Sequence, residues 1–500
     1  MTTVRRTVSL GPVVLLAAIL VLFAGAFAPG AGAAQSVGEA IVKVYAVYDS
    51  PDYYNPWSME GPRSMTGSGS IIEGNYILTN AHVVSDVTFL QVRRHGETQR
   101  YQARVVAVSH TADLALVEVE DPEFSEGVEP LQLGDLPGPQ QEVLVYGFPL
   151  GGDTLSVTKG VISRIEHQPY VHSSAPLLAG QIDAPINPGN SGGPVIVDGK
   201  IVGVVMQGIP QAQNIGYMVP TPIIRHFLED ISDGRHDDFP SLGIVMQNME
   251  NPNLRKYYKL PHGQTGVLIT QVFPGSPADG TIRPGDVLLS ADGFPVASDG
   301  TVEFRPKERT DLAYVFQRRQ VGERVPIKVL RDGQVLSLEV TLHRSMNRNW
   351  LVPMEQYETP PCYYIYGGIV FSPLSKNLLL LWGNDWYRSA PKKLVSFLDN
   401  NVPEVDGQQV VIVLRILAAD INDGYQDMVF SIIKKVNGEK VLNMADLVRL
   451  IEENTADPYT VFETEDGQQI VLDAYEARKS RDRILATYKI REDRSEDLRK

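Results

Sequence analysis

From residue 37 to about residue 231 the chain is a succession of short apolar or alternating runs broken by turn residues, a texture that excludes most architectures at once. The runs 40–48, 69–78, 88–92, 103–107, 114–119, 142–146 and 200–206 are of strand length. Many short strands at this spacing are expected to close into a barrel or sandwich. One helix, at 221–229 with Pro222 in its first turn, is expected to end the segment. The abundance of glycine and proline (43 and 34 residues) agrees with a loop-rich, strand-rich chain.

The pattern changes near residue 242. Strands are expected over 266–272, 286–290, 325–330 and 335–342, the last two joined by the hairpin signal Arg331-Asp332-Gly333, with a helix over 311–320. Residues 346–400, rich in Pro, Tyr and Trp, read as a connecting segment. A second strand-and-helix pattern follows, with strands over 410–417, 432–436, 461–463 and 469–472 and a helix over 444–453. Val436-Asn437-Gly438 echoes Ala291-Asp292-Gly293, which suggests two copies of one module. The alternating charges of 475–500 read as an exposed helix. The expected division is a leader (1–34), a strand-rich domain (35–235), a first module (240–345), a connection (346–400), a second module (401–480) and a charged tail (481–500).

The leader has a secretory order: Arg5 and Arg6, an apolar run over 13–27, then small residues at 31–34. The run is shorter than the roughly 20 residues that span a bilayer, so cleavage is favoured over an uncleaved anchor. The mature chain is therefore expected outside the cytoplasm, in a periplasm or cell envelope. No phosphate-binding Gly-x-x-x-x-Gly-Lys-Ser/Thr loop occurs, and neither a nucleotide nor another cofactor is expected. A net charge of −15 without a basic stretch argues against nucleic acid as a partner. The lone cysteine, Cys362, forbids an intramolecular disulfide. Its neighbours Pro360, Pro361, Tyr363 and Tyr364 offer no cation to activate it, so it reads as a core residue. Asp420-Ile421-Asn422-Asp423-Gly424 departs from a calcium loop, because glycine comes one position early and Ser431 stands where the closing glutamate belongs. With no His-Glu-x-x-His or paired cysteines, no metal is expected.

The chemistry concentrates in Gly189-Asn190-Ser191-Gly192-Gly193-Pro194. A serine hydroxyl needs a base to take its proton, and attack on an amide builds charge on the carbonyl oxygen. Glycines let the backbone turn tightly enough to aim N–H groups at that charge, here those of Gly189 and Ser191 as an oxyanion hole. His82, just past the strand Tyr76-Ile77-Leu78, is held as a general base must be. Asp113, opening the strand Leu114-Ala115-Leu116, is placed to orient the imidazole. His110, three residues before Asp113 in a polar loop, is the competing base and the weaker one. The order His82, Asp113, Ser191 is that of trypsin-like double barrels, with one barrel carrying histidine and aspartate and the other serine.

At these residues the chain resembles the HtrA/Deg family of serine proteases: Gly67-Ser68-Gly69-Ser70 leading to YILTNAHVV, then HTADLALVEVE, then GNSGGPVIVDGKIVGVVMQG and NIGYMVP. The resemblance implies a mainly β chain, with a trypsin-like double barrel followed by two PDZ-like α+β modules. It further implies ATP-independent cleavage of unfolded or damaged polypeptides and assembly into trimers or larger homo-oligomers. Residues 240–345, with GSPADGTIRPGDVLLSADG, look like a PDZ domain. In it Gly266, Val267, Leu268 and Ile269 would form the carboxylate-binding loop and peptide-pairing strand, capturing exposed C-termini. The later half is similar to tandem-PDZ Deg proteases, and its second module is expected to be structural or oligomer-forming. Ile186 and the strand over 204–208 are expected to line the primary specificity pocket. No acid stands at its base, so small or medium aliphatic side chains are expected to fit. The competing function is a chaperone or PDZ scaffold whose protease domain is idle.

Overall fold

The computed structural model describes residues 37–208, 215–345, 350–383, 385–399, 401–453 and 457–499. The expected leader lies outside them. Twelve strands form two closed six-stranded barrels. The first barrel holds β1 (Ile41–Tyr48), β2 (Arg63–Ile71), β3 (Ile77–Thr79), β4 (Val87–Arg94), β5 (Tyr101–Ser109) and β6 (Leu114–Val119), in the order β1-β2-β3-β6-β5-β4. The second holds β7 (Glu142–Gly147), β8 (Ser156–Pro169), β9 (Pro176–Ile182), β10 (Pro194–Val197), β11 (Lys200–Gly208) and β12 (Gly216–Pro220), in the order β10-β11-β12-β9-β8-β7. One continuous apolar core, from Val37 to Phe239, runs through both.

Closure explains the alternating runs: inward residues fill each barrel, and no strand edge is left open. The expected run 69–78 is two strands, because Gly74 and Asn75 take positive φ and turn the chain between β2 and β3. The long β8–β9 hairpin was not expected. Much of β8 is half-exposed or exposed, so it shows little of the apolar signature of a core strand. Helix α1 (Ala81–Val84) follows β3, and α2 (Thr221–Asp230) closes the segment with Pro222 in its first turn.

The second unit is a sheet ordered β13 (Ile244–Asn248), β14 (Val267–Val272), β15 (Val287–Ala291), β19 (Arg324–Arg331), β20 (Gln334–Thr341). The pair β16 (Phe294–Pro295) lies beside β15, and β17 (Thr301–Arg305) and β18 (Glu308–Asp311) form a hairpin. That hairpin takes the start of the helix expected over 311–320, leaving α3 at Ala313–Gln317. This unit docks on the second barrel. His167 Nδ1 lies 2.6 Å from Thr310 Oγ1, His167 Nε2 lies 2.9 Å from Gln317 Oε1, and Gln317 Nε2 donates to Pro176 O at 2.9 Å.

In the third unit β21 (Tyr364–Tyr366), β22 (Ile369–Pro373) and β23 (Val411–Ile416) form one sheet. The strands β24 (Ile433–Val436), β25 (Glu439–Lys440), β26 (Tyr459–Thr464) and β27 (Gln469–Asp473) form a second, packed with α4 (Met444–Glu453). The segment 346–400 is therefore no mere connection, since its strands pair with β23 and share its core. Nor is the tail a free helix. Ile484 and Ile490 are buried, and Ile365 N–H donates to Asp493 O at 2.7 Å. Cys362 packs against the same core, and burial pushes its thiol up to about 12.

Candidate active site

Strand register brings the first two residues together. β3 and β6 pair antiparallel with Thr79 opposite Ala115, so the chain leaving β3 lies beside the chain entering β6. Asn80 Nδ2 fixes this junction by donating to Asp113 O at 2.8 Å. Asp113 takes φ +53° there, which turns its carboxylate inward. His82 Nδ1 then lies 2.8 Å from Asp113 Oδ2 and 3.0 Å from Oδ1, while His82 N–H donates to Oδ1 at 2.9 Å. The carboxylate is 1% exposed, whereas the His82 side chain keeps 27% exposure, enough to meet a substrate.

Charge and burial oppose each other in this pair. Burial alone would lower the His82 pKa, but the Asp113 charge and hydrogen bond outweigh it and hold the imidazole above its ordinary value. Burial would raise Asp113, but the charge and hydrogen bond of His82 keep the carboxyl below the usual range. Such a pair fixes the tautomer in which Nε2 is the free, basic nitrogen.

Ser191 comes from the second barrel, just ahead of β10. Its carbonyl accepts Ser68 N–H at 2.8 Å. Gly67, the preceding residue of β2, is so closely flanked that a Cβ there would sit 2.7 Å from Val83 Cγ1 and 3.3 Å from Ser191 O. A single glycine thus separates the histidine-bearing helix from the serine. Among the described residues the Ser191 hydroxyl makes no hydrogen bond to His82, a contact that often tightens only with substrate bound.

The loop before Ser191 is held by its carbonyls. Leu150 N–H donates to Pro188 O at 2.7 Å, and a trans amide points its N–H the opposite way, so the Gly189 N–H faces away from Leu150. Ser68 Oγ donates to Gly189 O at 2.7 Å and accepts Phe148 N–H at 2.8 Å. Asn190, Gly192 and Gly193 each donate an N–H to a backbone carbonyl, whereas those of Gly189 and Ser191 have no acceptor among the described residues. Gly189 and Gly192 sit at φ +97° and +84°, and side chains there would collide with Phe148 O and with Ser68 O and Thr79 Oγ1. Sequence reasoning missed Ser68 and Asn80 as supports, because a buried hydroxyl or amide declares its partners only in three dimensions.

Ile186 packs over Gly216 of β12, where any side chain would meet its Cδ1, and Val204, Val205 and Met206 of β11 are buried. His110 does not reach Ser191. Its Nδ1 lies 2.8 Å from His172 Nε2 and its Nε2 2.5 Å from Glu358 Oε2.

One expectation is corrected by the sheet order. The strand led by Gly266, Val267, Leu268 and Ile269 becomes β14, hydrogen-bonded to β13 on one side and β15 on the other. No peptide can be added to a strand whose two edges are taken. β13, one of the two edge strands of this sheet, borders a cavity of about 560 Å³ with Leu242, Gly243, Ile244, Met246 and Phe316 in its wall and Trp350 and Trp386 of the third unit across it. Among the described residues no cluster suited to a metal ion occurs, and no helix is long and apolar enough to cross a membrane.

Comparison with known proteins places these units. A trypsin-like peptidase domain family matches residues 67–204, and PDZ domain families match 240–342 and 352–497. The Arabidopsis thaliana protein named Protease Do-like 4, mitochondrial, is 38% identical over 452 residues, covering 90% of this chain and 84% of that protein. Protease Do-like 2, chloroplastic, from the same organism is 40% identical over 463 residues, covering 92% and 75%. A solved serine-to-alanine variant of the HtrA-type protease AlgW with a decapeptide superposes with a TM-score of 0.51 at 24% identity, covering 63% of this chain and 98% of that one, and so shares the fold.

Proposed function

Since the chain belongs to the HtrA/Deg family of serine proteases, we propose that His82, Asp113 and Ser191 are its catalytic triad. The observation that carries this reading is the buried His82–Asp113 pair beside a serine loop with two unspent N–H groups. Ser191 Oγ attacks the scissile carbonyl carbon while His82 Nε2 takes its proton. The oxygen, now negative, is received by the N–H groups of Gly189 and Ser191. His82 passes its proton to the leaving amine, and a water repeats the sequence on the acyl-enzyme. Asp113 stabilises the imidazolium throughout and stays ionised.

The apolar Ile186, packed over Gly216 with no acid beside it in the sequence, supports cleavage after small or medium aliphatic residues. Substrates are unfolded or damaged polypeptides, cut without ATP by a homo-oligomer. Exposed C-termini are captured along β13, the edge strand that borders the apolar cavity. The leader carries the chain out of the compartment where it is made, to a periplasm or envelope. Recovery of the mature chain from an organelle, where the names of the relatives place those proteins, would replace that address.

Labelling with a serine-directed fluorophosphonate tests the triad. The expected result is a single adduct on Ser191 and a loss of about 10⁶-fold in casein hydrolysis for Ser191→Ala with the fold intact. Retained hydrolysis in that variant, or an adduct on another residue, would end the proposal.

A further inference from the structure

Behind the His82–Asp113 pair the third unit packs against the closed first barrel. Residues 353–359 run across the first barrel, and Glu358 grips two elements with one carboxylate. Its Oε1 accepts Asp86 N–H at 2.9 Å, and its Oε2 lies 2.5 Å from His110 Nε2. Asp86 lies two residues beyond the helix that carries His82, and His110 opens the loop that carries Asp113, whose own N–H donates to His110 O at 3.3 Å. Glu358 N–H returns to Asp86 Oδ1 at 2.7 Å. A single side chain therefore spans the elements bearing the base and its orienting acid.

Tyr357 extends the grip. Its ring stacks on His172 (4.1 Å between centroids, 23° between planes) and on His110 (4.5 Å, 26°), and its hydroxyl donates to His172 O at 2.9 Å. His172 in turn lies 6.0 Å from the His82 ring and 2.8 Å from His110 Nδ1. Ser173 Oγ donates to Thr111 O at 3.0 Å, tying the β8–β9 turn to the aspartate loop. Burial under Tyr357, helped by repulsion from His110 and His82, lowers the His172 pKa to about 4, so it stays neutral although Asp113 and Glu358 attract a proton.

We propose that Glu358 and Tyr357, supplied by the third unit, are positioning residues for proteolysis, acting through His110 and His172 to set the separation of His82 and Asp113. This rests on the reading of His82 as the base. The PDZ-like unit at the C-terminal end of the chain thereby adds an outer brace to the junction that Asn80 holds from within the first barrel.

The test uses the full-length protein and a short chromogenic peptide that needs no module for capture. Glu358→Ala is expected to lower kcat about 10- to 100-fold, the scale of a small misplacement, with KM within about twofold. Its pH–rate profile should also change, the acid limb moving down toward ordinary histidine as His82 loses its hold on Asp113. Tyr357→Ala should lower kcat further than Tyr357→Phe, which keeps the stacked ring. Wild-type kcat and an unmoved acid limb in Glu358→Ala would overturn the proposal, provided His82→Ala is inactive alongside. An active His82→Ala would instead refute the base assignment. If Glu358→Ala does not fold, His110→Gln is read the same way, and an unchanged kcat and profile there would be equally fatal.

Discussion

At the scale of single residues, Asp113 is buried with a negative charge and is held there by what surrounds it. Three contacts from His82 satisfy its oxygens, and they hold the imidazole above its ordinary pKa. The base works only when neutral. Activity is therefore expected to rise with pH through a midpoint above about 6.5, the ordinary value for histidine. Asp113→Asn should lower kcat by about 10⁴-fold, since an amide selects the wrong imidazole tautomer. A pH–rate profile of kcat/KM with its acid limb below that of free histidine would contradict the first expectation. The second fails if the asparagine variant retains more than a few per cent of kcat.

Elements obey a different logic, in which pairing decides what a strand can still do. The residues 266–269 have the glycine-led, apolar character of a peptide-pairing strand, yet β14 spends both rows of its hydrogen bonds inside the sheet. β13 looks less regular, with half-exposed Ile244, Val245 and Met246, and has its outer row free. Hydrogen exchange measured with a hydrophobic C-terminal peptide should show protection gained over Ile244–Asn248. Val267–Val272 is expected to be slow already and to change little. Protection gained only in the second strand would restore the original assignment.

For the whole molecule, the units meet through polar contacts that titrate. His167 is half-buried between the second barrel and the first PDZ-like unit, where desolvation lowers its pKa although Gln317 favours the charged form. A histidine kept neutral in the folded protein binds a proton more readily when unfolded. Its contribution to stability is thus complete above about pH 6.5 and is lost as pH falls toward its folded pKa. Carboxylates held below their usual range, Asp113 included, titrate lower still. The thermal midpoint should therefore fall as the pH is lowered from about 6.5 toward 5, and less steeply in His167→Gln. Equal slopes for the two proteins would show that this contact does not couple the units.

Local order was readable without coordinates wherever one short stretch carried the whole instruction. The strand runs, the helix at Thr221–Asp230, the helix Met444–Glu453 and the glycine loop around Ser191 depend on neighbours a few residues apart. The pairing of His82 with Asp113 could be anticipated because strand-end residues have few places to go. Partners chosen across long distances could not. Ser68 on Gly189, β13 rather than β14 at the sheet edge, and Glu358 across Asp86 and His110 each join segments whose composition is ordinary. Hydrogen bonds and packing are satisfied by whatever the closed fold brings within about 3 Å, and a linear chain carries no mark of that choice until it folds.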